Sequence, residues 1–518
     1  MSEKSKTEIA HPPGKLPYVA EPIAPGPVIV DTYAGPVKVE WDPHANVTPL
    51  GHFVFFVEYL KSGGRFDALV ADCPLRYASP NSPKVRDVLG TAVLGILAGH
   101  WRYAHLTALR GDTVSAELLG MSKVVSEDSV RRGLSKIDKD GGTKWLCRHL
   151  RETVDPILCE DWILDCDTTI KPLYGHQEGA VLGYNPHKPG RPSHAYHSFQ
   201  ISSVRLILDV LVKPGNEHAS RHSEPHIWEL LEQLPREYWP SFVRGDKGWG
   251  NEHNMARCEQ EKMPYLFKLR LTKGVRRTIE KLVDGRGWVD AGKGWEGQGT
   301  TLRLQGWSRS RRVILLRRLL PASPDKLMLV PNESGQGDLF LASADADAKV
   351  WEFAALVTSL DFEVLSLAQL YRDRGDSENP FDELKNQWGW AGFTTSDINR
   401  CQIAARLIAL VYNWWTLYVR LADPDHHHEA LTTRSLLLNA VARQTRHAGQ
   451  TRLTVTSSHG RRDQVKLAFE GIAKFFAWLK QTAEQLTQPE RWALILSHAL
   501  RKFLYGRKFQ PPPSLLPA

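Results

Sequence analysis

Residues 161–271 limit the fold of this chain more than any other stretch, because the hydrophobic period switches there between strand and helix. In Trp162-Ile-Leu-Asp-Cys-Asp167 the pattern has a period of two, which is that of a strand, and Ile163, Asp165 and Asp167 fall on one side. A strand interior rejects unpaired charge, so two acids at the end of an apolar strand need a reason. Two more strands are expected at 196–204 and 206–212, then a helix at 224–234. A fourth strand, 241–244, runs into Gly245-Asp246. Again an acid sits at the exit of a hydrophobic strand, beside glycines that let a backbone approach closely. A helix at 252–261 and a strand at 265–271 complete the set.

The order β-β-β-α-β-α-β, with acids leaving the first and fourth strands, is that of a ribonuclease-H-like α/β core, a mixed sheet flanked by helices. It is expected over 156–272, interrupted by a β-rich insertion at 273–349 and resumed at 350–425. Residues 1–45, rich in Pro, Gly and Lys, read as a disordered or extended arm; 46–155 and 426–518 read as helical. With 518 residues the chain has room for two to four such units.

A net charge of +8 is a moderate basic bias, which permits a polyanionic partner without requiring one. Within it, two regions are candidates for DNA contact. Ser126 is expected to cap a helix carrying Arg131 and Arg132; with a short helix at 113–119 this is either a helix-turn-helix reader or a bundle with solvated arginines. The insertion sets Arg311 and Arg312, among other arginines, near Trp288, Trp295 and Trp307, a mixture suited to phosphates and splayed bases.

Other readings are narrowed by what the chain lacks. Its six cysteines are scattered with no Cys-x-x-Cys pair, which argues against a zinc ribbon or disulfide framework and fits a reducing, cytoplasmic setting. The apolar run 404–422 is broken by Arg406, Asn413 and Arg420, so a buried helix is expected there rather than a membrane span. His426-His427-His428 looks like a metal tract, but consecutive histidines cannot converge on one ion from a single helix face, and a turn is expected.

The chemistry is concentrated in 371–389. Tyr371, Arg374, Glu378 and Lys385 are spaced by three, four and seven, which returns them to one face of a helix. Asp376-Ser377 followed by Pro380 also reads as a helix start, which would divide that face in two. Three carboxylates, Asp167, Asp246 and Glu378, brought to one point would be an all-oxygen donor set for two Mg²⁺ or Mn²⁺ ions, suited to in-line phosphodiester chemistry. Arg374 and Lys385 would neutralise phosphate beside them, and Tyr371 would orient by hydrogen bond or stacking.

These residues resemble the DDE transposases of bacterial insertion sequences, in the superfamily whose signature is Tyr, two residues, Arg, three residues, Glu, six residues, Lys. Here that is Tyr371, Arg374, Glu378 and Lys385; Asp167-Thr168 resembles the family's first acid and Arg244-Gly-Asp246 its second. The resemblance implies an enzyme that binds terminal inverted repeats, cleaves DNA at the element ends and joins the 3′-hydroxyls to target DNA. It further implies two Mg²⁺ or Mn²⁺ ions and a homodimer assembled on DNA. A nuclease without strand transfer and a domesticated, non-catalytic DNA-binding protein are the alternatives.

Overall fold

Runs of aliphatic and β-branched residues in the middle of the chain form one large sheet, and helices supply most of what surrounds it. In the computed structural model, which describes residues 27–185, 188–217, 219–320, 340–341, 350–482 and 485–510, the side chains at 219–220, 340–341, 350 and 376–379 also lie outside the description. The strands are β1 (Val28–Thr32), β2 (Gly35–Val39), β3 (Val47–Thr48), β4 (Ile163–Pro172), β5 (Ser193–Ile201), β6 (Leu206–Pro214), β7 (Phe242–Gly245) and β8 (Tyr265–Lys268). They continue with β9 (Val289–Gly292), β10 (Trp295–Leu302), β11 (Arg311–Leu320), β12 (Phe340–Leu341), β13 (Val350–Thr358), β14 (Ala442–His447) and β15 (Gln450–Val455).

The described part of the arm is not structureless. β1 and β2 pair as an antiparallel hairpin, turned at Gly35 with a φ of 104°, a conformation open to glycine and strained for other residues. Val28, Ile29, Val30 and Val37 supply the β-branched residues that the expectation of disorder overlooked. Residues 1–46 form one unit and Val47–Ala518 another.

In the second unit the main sheet has the order β6-β5-β4-β7-β8-β13-β11-β10-β9, with β12 on β13. β4, β7 and β8 run parallel, and the other neighbours are antiparallel. The β-β-β-α-β-α-β order expected over 161–271 is present, with helices Glu224–Leu231 and Glu252–Gln260 in the expected places. The insertion differs from expectation in opening with a helix, Lys273–Leu282, that buries Val275 and Ile279. Its strands continue the core sheet, because β13 pairs with both β8 and β11.

At the other edge, β6 is closed by the long helix Ile398–Ala422, capped by Asp397. The Asn413 amide bonds both the N–H and the carbonyl of Ile207, at 2.9 and 2.7 Å. Gln402 does the same for Val212 N–H and the Val210 carbonyl, at 2.6 and 2.7 Å. Side-chain amides thus do for an edge strand what a further strand would do. Of the polar residues that argued against a membrane span, Asn413 thus holds β6, and Arg406 pairs with Asp209 on the same strand at 2.8 Å. Among the described residues no helix is long and apolar enough to cross a membrane.

Candidate active site

The parallel pairing of β4 with β7 aligns Asp165 with Arg244 and Cys166 with Gly245. Asp167 and Asp246 are the residues that follow this last aligned pair, Asp167 within β4 and Asp246 just past the end of β7. Asp246 leaves the carboxyl end of β7, where an open α/β sheet leaves room for a ligand. Asp167 does not leave its strand as expected: β4 runs on to Pro172, paired with β5, and it is the parallel pairing with β7 that stops at Cys166. The chain after β7 turns back at once: the Trp249 ring packs on Gly245, where a Cβ would lie 2.5 Å from the indole. Asp246 Oδ1 accepts from Gly248 N–H at 2.8 Å, which holds its carboxylate in the bend.

Asp167 is held from two sides. One oxygen accepts from Thr168 N–H at 2.7 Å, and the other lies 2.5 Å from Arg374 Nη2. Arg374 is 5% exposed. Burial works against its charge, but Asp167, Tyr371, Asp246 and Asp165 outweigh it and raise its pKa. One guanidinium therefore feels the acids of both strands. Lys385 is shifted the other way: burial lowers its pKa, with Asp382 and Asp167 opposing. Asp165, on the same face of β4, is engaged differently, since Arg244 Nε and Nη2 grip its two oxygens at 2.5 and 2.6 Å.

Tyr371, Arg374, Glu378 and Lys385 do not share one helix. Val364–Arg372 ends at Asp373, and a second helix, Gly375–Asn386, starts with Arg374 as its N-cap. The break comes two residues before the Asp376-Ser377 start read from sequence, at Asp373 and Gly375, both poor helix formers. Tyr371 closes the first helix against the apolar cluster beneath the sheet. Glu378 lies in the first turns of the second, and its side chain is outside the described residues.

The expected DNA contacts fare unevenly. Arg311 is 4% exposed and bonded to Glu252 and Glu259, with Nη1 and Nε at 2.6 and 2.7 Å, so it is a joint between β11 and the helix Glu252–Gln260 rather than a surface cation. A basic residue at a strand start gives no sequence sign of which acids it will meet. Arg312 is half-buried and donates to the carbonyls of Leu360 and Phe362. Arg131 pairs with Asp128 on its own helix, Glu127–Leu134, and Arg132 is the more open of the two, its side chain 80% exposed.

A cleft of about 1280 Å³ opens one residue beyond Asp246, between the bend after β7 and the β10–β11 connection. Arg221, Lys247, Arg270, Lys273, Arg277 and Arg303 lie along it, with Trp307 on one wall. Of these only Arg303 and Trp307 belong to the arginine and tryptophan groups singled out from sequence. The others became legible only when the chain was folded.

Residues 75–476 match the family described as Transposase DDE domain group 1, and the chain belongs to that family. No curated protein matches it. A solved structure, the cryo-EM structure of piggyBac transposase synaptic complex with hairpin DNA, is similar over 91% of this chain and 86% of that one. At 12% identity and a TM-score of 0.35 that likeness is too distant to carry an argument.

Proposed function

We propose that this protein is the transposase of a bacterial insertion sequence, which binds terminal inverted repeats, cleaves the element ends and joins their 3′-hydroxyls to target DNA. The observation that carries the reading is the β4–β7 register, which ends one residue before both Asp167 and Asp246, with Arg374 against Asp167 and under the influence of both acids. The core is read as ribonuclease-H-like on the strand order β6-β5-β4-β7-β8. Asp167 and Asp246 offer oxygen alone, which fits Mg²⁺ or Mn²⁺ and not a soft metal, and Glu378 would complete the set. A bound pair of such ions supplies activation of the attacking hydroxyl and stabilisation of the leaving oxygen.

The chain's own residues do the rest. Thr168 N–H and Gly248 N–H aim the two carboxylates. Arg374 balances the charge of the acids, and it and Lys385 would neutralise the scissile phosphate, with Tyr371 orienting the strand. The basic cleft beyond Asp246 carries DNA away from the reacting phosphate, and Arg131, Arg132 and Arg312 contact it elsewhere. Two copies would act together on DNA, in the cytoplasm at the nucleoid.

Protein, Mg²⁺, a labelled DNA end bearing the repeats that flank the coding region, and supercoiled target together test this. Joined product is expected. Cleavage without joining would instead identify a nuclease, and end binding without cleavage a domesticated DNA-binding protein.

A further inference from the structure

We infer a second metal site, built from Asp423, His426 and His428 and suited to one borderline transition-metal ion such as Zn²⁺. It does not rest on the transposase reading. The three residues follow the long helix Ile398–Ala422, in the connection to the helix Ala430–Leu437. The tract lies in a non-helical turn, as the sequence suggested. His426 and His428 both turn to Asp423, and His427 between them turns to Glu383.

One donor atom from each of Asp423, His426 and His428 lies within 4.8 Å of the others. His428 Nε2 is 2.7 Å from Asp423 Oδ2, and His426 Nδ1 is 3.4 Å from the same carboxylate. Two imidazole nitrogens therefore already converge on one carboxylate. Moving each ring proton to its other nitrogen would present two lone pairs to a cation. Two imidazoles and a carboxylate are a donor set that Zn²⁺ accepts in tetrahedral geometry with water in the fourth place, and one that Mg²⁺ disfavours. Both rings are open to solvent, with side chains 70% and 41% exposed, so an ion has a way in.

The frame around the donors is set in advance. Asp423 Oδ1 accepts from Asp425 N–H at 3.1 Å, and Lys502 Nζ donates to the Asp425 carbonyl at 2.9 Å. His427, facing away, is bound at 3.0 Å to Glu383, whose other oxygen accepts from Ala430 N–H. Glu383 is 3% exposed and belongs to the helix Gly375–Asn386 that carries Glu378. The histidine between the two ligands is thus the pin that holds the turn to that helix.

The test is calorimetric titration of Zn²⁺ into the full-length D167N/D246N protein, which removes the oxygen-rich site from the count. The H426Q/H428Q substitution in that background is expected to bind one equivalent fewer, or to bind it at least about tenfold more weakly. H427Q is expected to keep that equivalent. The inference is overturned if Zn²⁺ does not bind, if H426Q/H428Q binds it as before, or if H427Q loses it equally.

Discussion

Asp165 and Asp167 stand two residues apart on one face of one strand and each meets an arginine, yet their surroundings are opposite. Asp165 is 1% exposed, and Arg244, which holds both its oxygens, also donates to the Leu370 carbonyl and the Ser202 hydroxyl. That pair ties β4, β7, the turn after β5 and the helix Val364–Arg372 into one buried joint. Asp167 meets Arg374, has a side chain 15% exposed, and shares the influence of that arginine with Asp246, just past the end of β7. A buried ion pair must be saturated with partners to be tolerated, whereas a partly exposed carboxylate that shares an arginine with another acid can exchange that arginine for a cation. The same two residue types therefore build a structural joint at one position and, on the function proposed above, a reactive site two residues on.

Substitutions can break or sharpen that contrast. The largest expected effect is on the reactive side: Glu378→Gln should lower Mg²⁺-dependent cleavage of a labelled end by on the order of 10³-fold, with DNA binding in a mobility-shift assay unchanged. On the structural side, Arg244→Met leaves Asp165 charged and buried, and should lower unfolding free energy in urea by about 3–5 kcal/mol. Adding Asp165→Leu should recover much of that stability, which no partner of a metal site would do.

Arg374→Gln should give the opposite of Arg244→Met: a folded protein that takes up Mn²⁺ more tightly in a titration, because Asp167 has lost its cation, yet cleaves roughly 10- to 100-fold more slowly. The smallest effect is at the surface. Arg132→Ala should weaken binding alike on all DNA sequences and reduce the slope of log affinity against log salt by about 1.

Much of the core could be read in advance, because a strand's period and an acid at its exit are local signals. The strands containing 162–167 and 241–244, the helix near 252–261 and the long helix capped by Asp397 all depend on neighbours within a few residues. What escaped depends on distant partners. Arg244 and Asp165 are 79 positions apart, and Arg311 meets acids more than fifty residues away. No spacing in the sequence reveals that β13 would join two parts of one sheet, or that a run of three histidines would alternate sides. The insertion helix Lys273–Leu282 was hidden by surrounding Gly, Trp and Arg, although Val275 and Ile279 are spaced as on a helix face.

The central claim is that Asp167, within β4, and Asp246, just past the end of β7, are one site. Cleavage of an element end in Mg²⁺ by D167N, D246N and the double variant, each checked for a native melting transition, tests it most directly. Residues that act as a unit are not additive. Each single variant should lose on the order of 10³-fold in rate and the double should be no slower than either. Either single variant cleaving near the wild-type rate, or losses that multiply in the double, would contradict the account.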